Sequence, residues 1–558
     1  MKTHWTSITL LLLLLIVSGC SNDSSKTEKN TKATSQSTQT FGEDSRLYDF
    51  AKKDSVVTFY VTINSNNATS FYEMDHWYSI HNSDSESPKL DILIQEGGEK
   101  GPEKGKFAAD ATDVNASIEL RGKSTRIATQ KSFKIKLNDS TGLWQGQKTL
   151  NLNKHPYDAT RIRNKLSFDY FTEIPHLTSM RTQFVHLYIK DLTNPNANDK
   201  FVDFGLYTQI EQANERFLAT HGLDSNGNLY KAVNFEFYRY SDEIKLESDP
   251  AFRKKTFEAH LEIKGSNDHR KLIAMLEDVN NYALNINDVV SKHFDRDNYL
   301  TWVAANILIG NRDVTTQNFY LYSPSNTEKW YFLPWDYDGA WTSSAAKENI
   351  VKTAEWEDGL SNYWGSVLHK RFFKDPRNVK DLSAKIEALA KIITPEKTKK
   401  LLDEYYPTVS QFIKRQPDTD HLGINVKDYK ANYYSLTNES VINKKMYYRN
   451  LEKPMPFFLN DYENKKKQYV FEWEASYDIQ GDDVTYTLQI SKDPAFHSIS
   501  QEIKTGDKTS FVLPSIASGT YYWRVIAKDA KGNTQMAFDE YEDVQETRYF
   551  GIKKFIAN

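Results

Sequence analysis

Three carboxylates and an amide crowd one stretch of the chain: Asp313 in Gly310-Asn311-Arg312-Asp313, Asn318 five positions on, then Asp336 and Asp338 in Trp335-Asp336-Tyr337-Asp338. Oxygen donors of these types suit phosphoryl transfer. That chemistry needs acidic and amide oxygens that hold a divalent metal against phosphates, plus one carboxylate near the incoming hydroxyl. Asp313 is the candidate for that carboxylate, and Asn318, Asp336 and Asp338 are the candidates for metal. A plainer alternative is an Asx-rich turn whose carboxylates cap backbone amides. Two features favour chemistry. Apolar runs from Trp302 to Ile309 and from Phe319 to Leu321 bound the loop, so its polar groups border a core. Trp-Asp-Tyr-Asp also sets two acids among bulky aromatics, where burial without a partner or metal is costly.

Such a loop needs firm flanks. Asp297 to Ile309 is apolar at helical spacing and delivers the chain to Asp313, and the residues after Asn318 read as two strands around a turn. Upstream, Val56–Ile63, Ala116–Leu120 and Lys131–Leu137 read as strands. In the last of these Phe133, Ile135 and Leu137 alternate with Ser132, Lys134 and Lys136. Between the second and third lies the basic, hydroxyl-rich turn Arg121-Gly122-Lys123-Ser124-Thr125-Arg126. Arg121, with Lys131 and Lys134, could meet phosphates there, while Lys136 reads as a surface lysine. The turn is no P-loop, because G-x-x-x-x-G-K-[ST] is missing. Asp158 can cap a helix that runs to Phe171. Phe184–Ile189 and Phe204–Gln212 read as antiparallel strands. Glu211 ends the second, either to pair with a phosphate-binding lysine or as an acid favoured by the next helix's N-terminus. Further helices are expected over Lys271–Leu284 and Val379–Ile393. His155, His293 and His369 lack metal-ligand spacing and read as surface or packing residues.

Composition narrows the class. Formal charge is −4 with 33 Tyr, 30 Phe and 11 Trp, and no basic stripe is evident, which argues against nucleic acid as a partner. The start has the form of a secretory signal over 1–20: Met1-Lys2, an apolar run from Ile8 to Val17, then Val17-Ser18-Gly19-Cys20. The run is shorter than the roughly 20 residues of a spanning helix. Cys20, the only cysteine, resembles the lipidated cysteine of a bacterial lipoprotein signal. Residues 21–46, rich in Ser, Thr, Asn, Lys, Gln and Glu, read as a disordered tether.

The motifs Arg121-Gly122-Lys123-Ser124-Thr125, Lys131-Ser132-Phe133, Ile162-Arg163-Asn164-Lys165-Leu166, Gly205 to Glu211, Leu229-Tyr230-Lys231, Gly310 to Asp313 with Asn318, and Pro334 to Asp338 fall in an order that resembles the CotH family of atypical secreted protein kinases. The resemblance covers roughly residues 50 to 450. It implies a divergent protein-kinase-like domain over 47–460 that takes ATP, Mg²⁺ or Mn²⁺ and Ser or Thr acceptors on secreted or surface proteins. It makes Asp313 the catalytic-loop acid, gives Asn318 and Asp336 to metal with Asp338 assisting, and makes Trp330 the aromatic that stacks on adenine. Lys131 or Lys134 would meet the phosphates with Glu211 nearby. The sequence departs from the family pattern at Lys123 and at Thr129-Gln130.

Residues 466–558 hold short strands, Val470–Trp473, Val484–Ile490, Ser510–Leu513 and Thr520–Ala527, separated by turns such as Lys531-Gly532-Asn533. Trp473 and Tyr522-Trp523-Arg524-Val525 resemble a fibronectin type III domain, an all-β immunoglobulin-like sandwich suited to spacing or to wall or glycan contact. The expected fold class is therefore α+β with an all-β sandwich after it. Two functions follow: an extracytoplasmic kinase held to the bacterial membrane by a lipid anchor, or a surface adhesion or wall-binding lipoprotein with a non-catalytic domain. Transfer of AMP is a variant of the first.

Overall fold

Strands whose side chains alternate in and out can bury one face by curling the sheet on itself, and the first part of the chain does so. The computed structural model describes residues 44–557 except for 51–52, 82–84, 195–198, 343–353 and 466–467. Cys20, the expected signal and most of the expected tether lie outside the described residues. Eight strands make the first sheet: β1 (Val56–Ile63), β2 (Leu90–Gly98), β3 (Gly101–Pro102), β4 (Ala116–Arg121), β5 (Ser132–Leu137), β6 (Thr149–Asn153), β7 (Thr182–Asp191) and β8 (Val202–Glu211). Their order is β1-β7-β8-β6-β5-β4-β2-β3, and β1 also pairs with β2, so all but β3 close into a ring. β1 runs parallel to β7 and antiparallel to β2. Phe59, Val61 and Ile63 of β1, Phe133, Ile135 and Leu137 of β5, and Val185, Leu187 and Ile189 of β7 fill the interior. On β5, Lys136 faces solvent and Lys134 is half-buried, as the alternation requires.

A second, antiparallel sheet has the order β10-β9-β11-β12, from β9 (Asn228–Ala232), β10 (Leu261–Ile263), β11 (Phe319–Ser323) and β12 (Tyr331–Pro334). Its edge strand β12 packs on the helix Arg296–Leu308, which Asp295 caps by accepting from the Asn298 N–H at 2.9 Å. Every residue from Asn298 to Leu308 is buried, so this helix is apolar all round and belongs inside a core. Asn298 satisfies the outer edge of β12: its Oδ1 accepts from the Phe332 N–H at 2.7 Å and its Nδ2 donates to the Phe332 carbonyl at 3.1 Å. Trp302 stacks on Phe332 with ring centres 4.5 Å apart. The helices Arg270–Asn280, Val367–Phe373, Pro376–Leu389, Pro395–Ile413 and Glu439–Leu451 join the same core. No helix among the described residues is long and apolar enough to cross a membrane.

Strands follow Met455. β13 (Glu463–Lys465), β14 (Gln468–Glu472) and β17 (Ser510–Leu513) form one sheet. β15 (Thr485–Ser491), β16 (Gln501–Gly506), β18 (Gly519–Lys528), β19 (Thr534–Met536) and β22 (Ile552–Ala557) form another, with β20 (Glu540–Glu542) and β21 (Arg548–Phe550) paired separately. Phe471, Leu488, Trp523 and Phe555 share one core between the sheets. This unit starts before the expected residue 466. Phe457 and Leu459 lie in its core, Leu459 bridges to Trp473, and Lys465 ends a strand paired with the one Gln468 opens. The unit also packs on the helices: Trp364 stacks on Tyr477 at 5.7 Å, and Lys370 pairs with Glu474 at 2.8 Å.

Candidate functional site

The end of β4, the start of β11 and the end of β12 meet at a cleft of about 680 Å³. Gly122 turns the chain sharply after Arg121. Its φ is +94°, and a Cβ there would stand 1.9 Å from Thr125 Oγ1. Gly310 turns the chain before the Asp313 loop: its φ is +62°, and a Cβ would lie 2.1 Å from the Thr342 carbonyl oxygen. Beyond it, Asn318 Nδ2 donates to Asp313 Oδ2 at 2.8 Å and Gln317 Nε2 to Asp313 Oδ1 at 2.5 Å. The five-residue spacing thus folds into a turn that sets acid against amide, with Asp313 exposed.

Asp336 and Asp338 are presented by a buried tyrosine. The Tyr337 N–H donates to Asn164 Oδ1 at 2.8 Å, and its ring packs on Phe171 at 4.8 Å and Phe168 at 5.7 Å. Trp341 Nε1 adds a 2.9 Å bond to Ser167 Oγ. The helix Arg163–Phe171 therefore clamps the loop through its inward residue and leaves the two acids half-buried. Asp336 has φ +59°, a left-handed conformation that Asp tolerates better than most residues.

Charge at the site is unbalanced. Burial, then the neighbouring Asp338 carboxylate, push the Asp336 carboxyl up to about 6, and Arg121 opposes them only in part. Burial also works to raise Asp338, but the His155 ring, whose Nδ1 lies 3.6 Å from Asp338 Oδ2, holds it below the usual carboxylate range. Arg121 faces these acids, its guanidinium 5.9 Å from the Trp335 ring centre. Its Nη1 is buried with no hydrogen-bond partner among the described residues. An orphaned guanidinium nitrogen fits a phosphate oxygen, and close carboxylates with a neighbouring amide oxygen fit a hard divalent cation.

The cleft gathers Arg121, Lys134, Asn318 and Asp336 along its walls, with Asp313 and Asp338 beside them. Lys134 is tied to Glu119 Oε1 at 2.7 Å. Three expected nucleotide contacts stand elsewhere. Lys131 donates to the Arg126 carbonyl at 2.8 Å and does not line the cleft. Glu211 is buried between Arg181 Nη2 at 2.5 Å and His221 Nε2 at 2.9 Å, which hold its carboxyl near 2 against the cost of burial. Its partners are that arginine and histidine instead of a phosphate-binding lysine. Trp330 is wholly buried, 5.9 Å from the Tyr230 ring, so neither face is open to a base.

Other groups take their places. Lys231 of β9 lines the cleft and pairs with Glu262 of β10 at 3.5 Å, while Lys264 holds the other Glu262 oxygen at 2.7 Å. The Tyr230-Lys231 motif carried that signal in sequence, without a partner to give it a role. His155, expected to be a surface or packing residue, is buried against Asp338. His293 and His369 are buried packing residues.

The family model described as CotH kinase protein matches residues 118–447, more than half of the chain. The inner spore coat protein H of Bacillus subtilis (strain 168) is 26% identical over 310 residues, which span 54% of this chain and 79% of that protein. Among solved structures, the Helicobacter pylori proinflammatory kinase CtkA aligns over 57% of this chain and 94% of its own at 10% identity, with a TM-score of 0.22.

Proposed function

Because the chain belongs to the CotH kinase protein family, we propose that it is a protein kinase acting outside the cytoplasmic membrane, transferring phosphate from ATP to Ser or Thr hydroxyls of surface proteins. The observation that carries this reading is the unpartnered Arg121 Nη1 in a cleft with Asp336, next to Asp338 and the Asp313–Asn318 pair. Arg121 binds phosphate oxygens, and Lys231, steadied by Glu262, adds positive charge on the same wall. Asn318, Asp336 and Asp338 would hold Mg²⁺ or Mn²⁺, which would supply positive charge to offset that of the phosphates. Asp313 orients the acceptor hydroxyl and takes its proton, while Gln317 and Asn318 fix the carboxylate's direction.

Incubating purified protein with ATP and Mn²⁺ or Mg²⁺, followed by intact-mass measurement, tests the chemistry. Addition of one or more phosphates is expected. Addition of a nucleotide would replace the reading by AMP transfer, and no addition to the chain or to any surface protein would remove it. We further read Cys20 as the lipidated N-terminus of the mature chain and the C-terminal strands as a fibronectin type III-like docking or spacing unit. Cys20→Ser should move the protein from the membrane fraction to the soluble fraction. Unchanged membrane association would overturn the anchor.

A further inference from the structure

Far from the cleft in sequence, two turns of the C-terminal unit meet the end of the helix Glu439–Leu451. Asp478 and Asp482 lie between β14 and β15, and Asp529 directly follows β18. The three carboxylates present oxygens within 4.8 Å of one another. Asp478 and Asp529 are only 5% and 4% exposed. Asn533 occupies both Asp529 oxygens at 2.7 Å, through its backbone N–H and its Nδ2. Asp478 Oδ1 accepts from the backbone N–H groups of Gln480 at 2.9 Å and Asp482 at 3.1 Å. Asp478 Oδ2, in contrast, is buried with no hydrogen-bond partner among the described residues.

A buried carboxylate oxygen without a partner is costly, and two more carboxylates at this distance add repulsion. Lys531 stands by, 3.1 Å from Asp482 Oδ2 and 3.8 Å from Glu452 Oε2, but its side chain is half exposed and free to swing away. We infer that Asp478, Asp482 and Asp529 form a calcium site, with Lys531 as the ammonium that gives way to the ion. Ca²⁺ takes oxygen ligands at about 2.3–2.6 Å in loose geometry, so two ligands of one ion stand up to roughly 5 Å apart. An all-carboxylate set lacks the nitrogen and sulfur donors that zinc favours, and Mg²⁺ demands stricter octahedral geometry. The position suggests a use. Gln480 Nε2 donates to the Leu451 carbonyl at 2.9 Å and Asn533 Nδ2 to the Glu452 carbonyl at 2.8 Å, so both turns already grip the helix end. An ion shared by the turns would lock the C-terminal unit to the helices.

The test uses the full chain carrying Asp336→Ala and Asp338→Ala, so that the cleft carboxylates contribute no cation binding. After removal of metal with EDTA, calorimetric titration with Ca²⁺ should show saturable binding at ~10⁻⁴–10⁻³ M, the range of extracellular calcium modules. Adding Asp478→Asn or Asp529→Asn should weaken it at least about tenfold. In EDTA, Asp478→Asn should melt no lower than its parent, because one of three clustered charges is gone, while the calcium-induced rise in melting temperature is lost. Lys531→Met should tighten calcium binding by freeing the site of its competitor. Absence of saturable binding in the parent, an unchanged affinity in Asp478→Asn, or weaker binding in Lys531→Met would each overturn the site.

Discussion

At the level of single residues, Asp313 and Asp336 should fail in different ways. Asp313→Asn keeps one of the two bonds that Gln317 and Asn318 make to separate oxygens and removes the proton acceptor, so phosphoryl transfer should fall by about 10²–10⁴ while ATP affinity stays within a few-fold. Asp336→Ala removes an oxygen of the metal set, so nucleotide binding should lose its dependence on Mn²⁺. Calorimetry with ATP and single-turnover transfer separate the two, and equal loss of affinity in both variants would refute the division of roles. Asp313 and Asn318 were legible in sequence because a five-residue turn is local. Arg121 was legible as a basic residue in a turn, but nothing in the sequence says that it faces Asp336. Lys231, Glu262 and His155 escaped a role because their partners arrive from other elements. Glu211 was misread for the same reason: Arg181 and His221, one before and one after it, claim its carboxylate.

Among the elements, the helix Val367–Phe373 introduces a pH dependence. His369 is buried in the main core, its Nδ1 2.6 Å from the Tyr299 hydroxyl, and burial pushes its pKa from 6.5 down to about 3. A depressed histidine stays neutral in the fold, while the unfolded chain takes up a proton as pH drops below 6.5. Stability contributed by this group is therefore present above pH 6.5 and is lost as pH falls towards 3, with a slope approaching ~1.4 kcal/mol per pH unit. His369→Gln should flatten that part of the acid profile in urea titrations, even though it lowers stability at neutral pH. An unchanged acid slope would show that other groups carry it. Several elements could be read from periodicity: Val56–Ile63 and Ser510–Leu513 match their strands end to end, and the helices expected at Asp297–Ile309 and Val379–Ile393 are observed as Arg296–Leu308 and Pro376–Leu389. The hairpin pairs β7–β8 and β11–β12 were legible, but pairings between strands distant in sequence were not. The parallel contact of β1 with β7 is set by the shape of a shared interior, and no local turn announces it.

For the molecule as a whole, the boundary near Phe457 decides where the chain can be cut. A chain ending at Lys465 keeps Phe457, Leu459 and β13 but loses the strands that cover them, so it should melt lower and self-associate. One ending at Leu451 removes those residues too. It should still bind ATP and Mn²⁺, although loss of the Trp364–Tyr477 stack and the Lys370–Glu474 pair lowers its stability. Each kcal/mol lost corresponds to roughly 2–4 °C for a domain of moderate size. Light scattering and thermal melts compare the two, and a monomeric Lys465-ended chain as stable as the full protein would show that Phe457 and Leu459 need no cover. The ring of strands carries a different message, about time. Val56 at the start of β1 pairs with Phe184 of β7, so the ring cannot shut until a long intervening stretch has been made and laid down. Closure over that span is paid for in loop entropy before any contact repays it. In the interval β1 lacks its β7 neighbour and offers an open edge to other chains. The first strand among the described residues is thus among the last to be sealed, and its edge is a point at which a chaperone would be most useful.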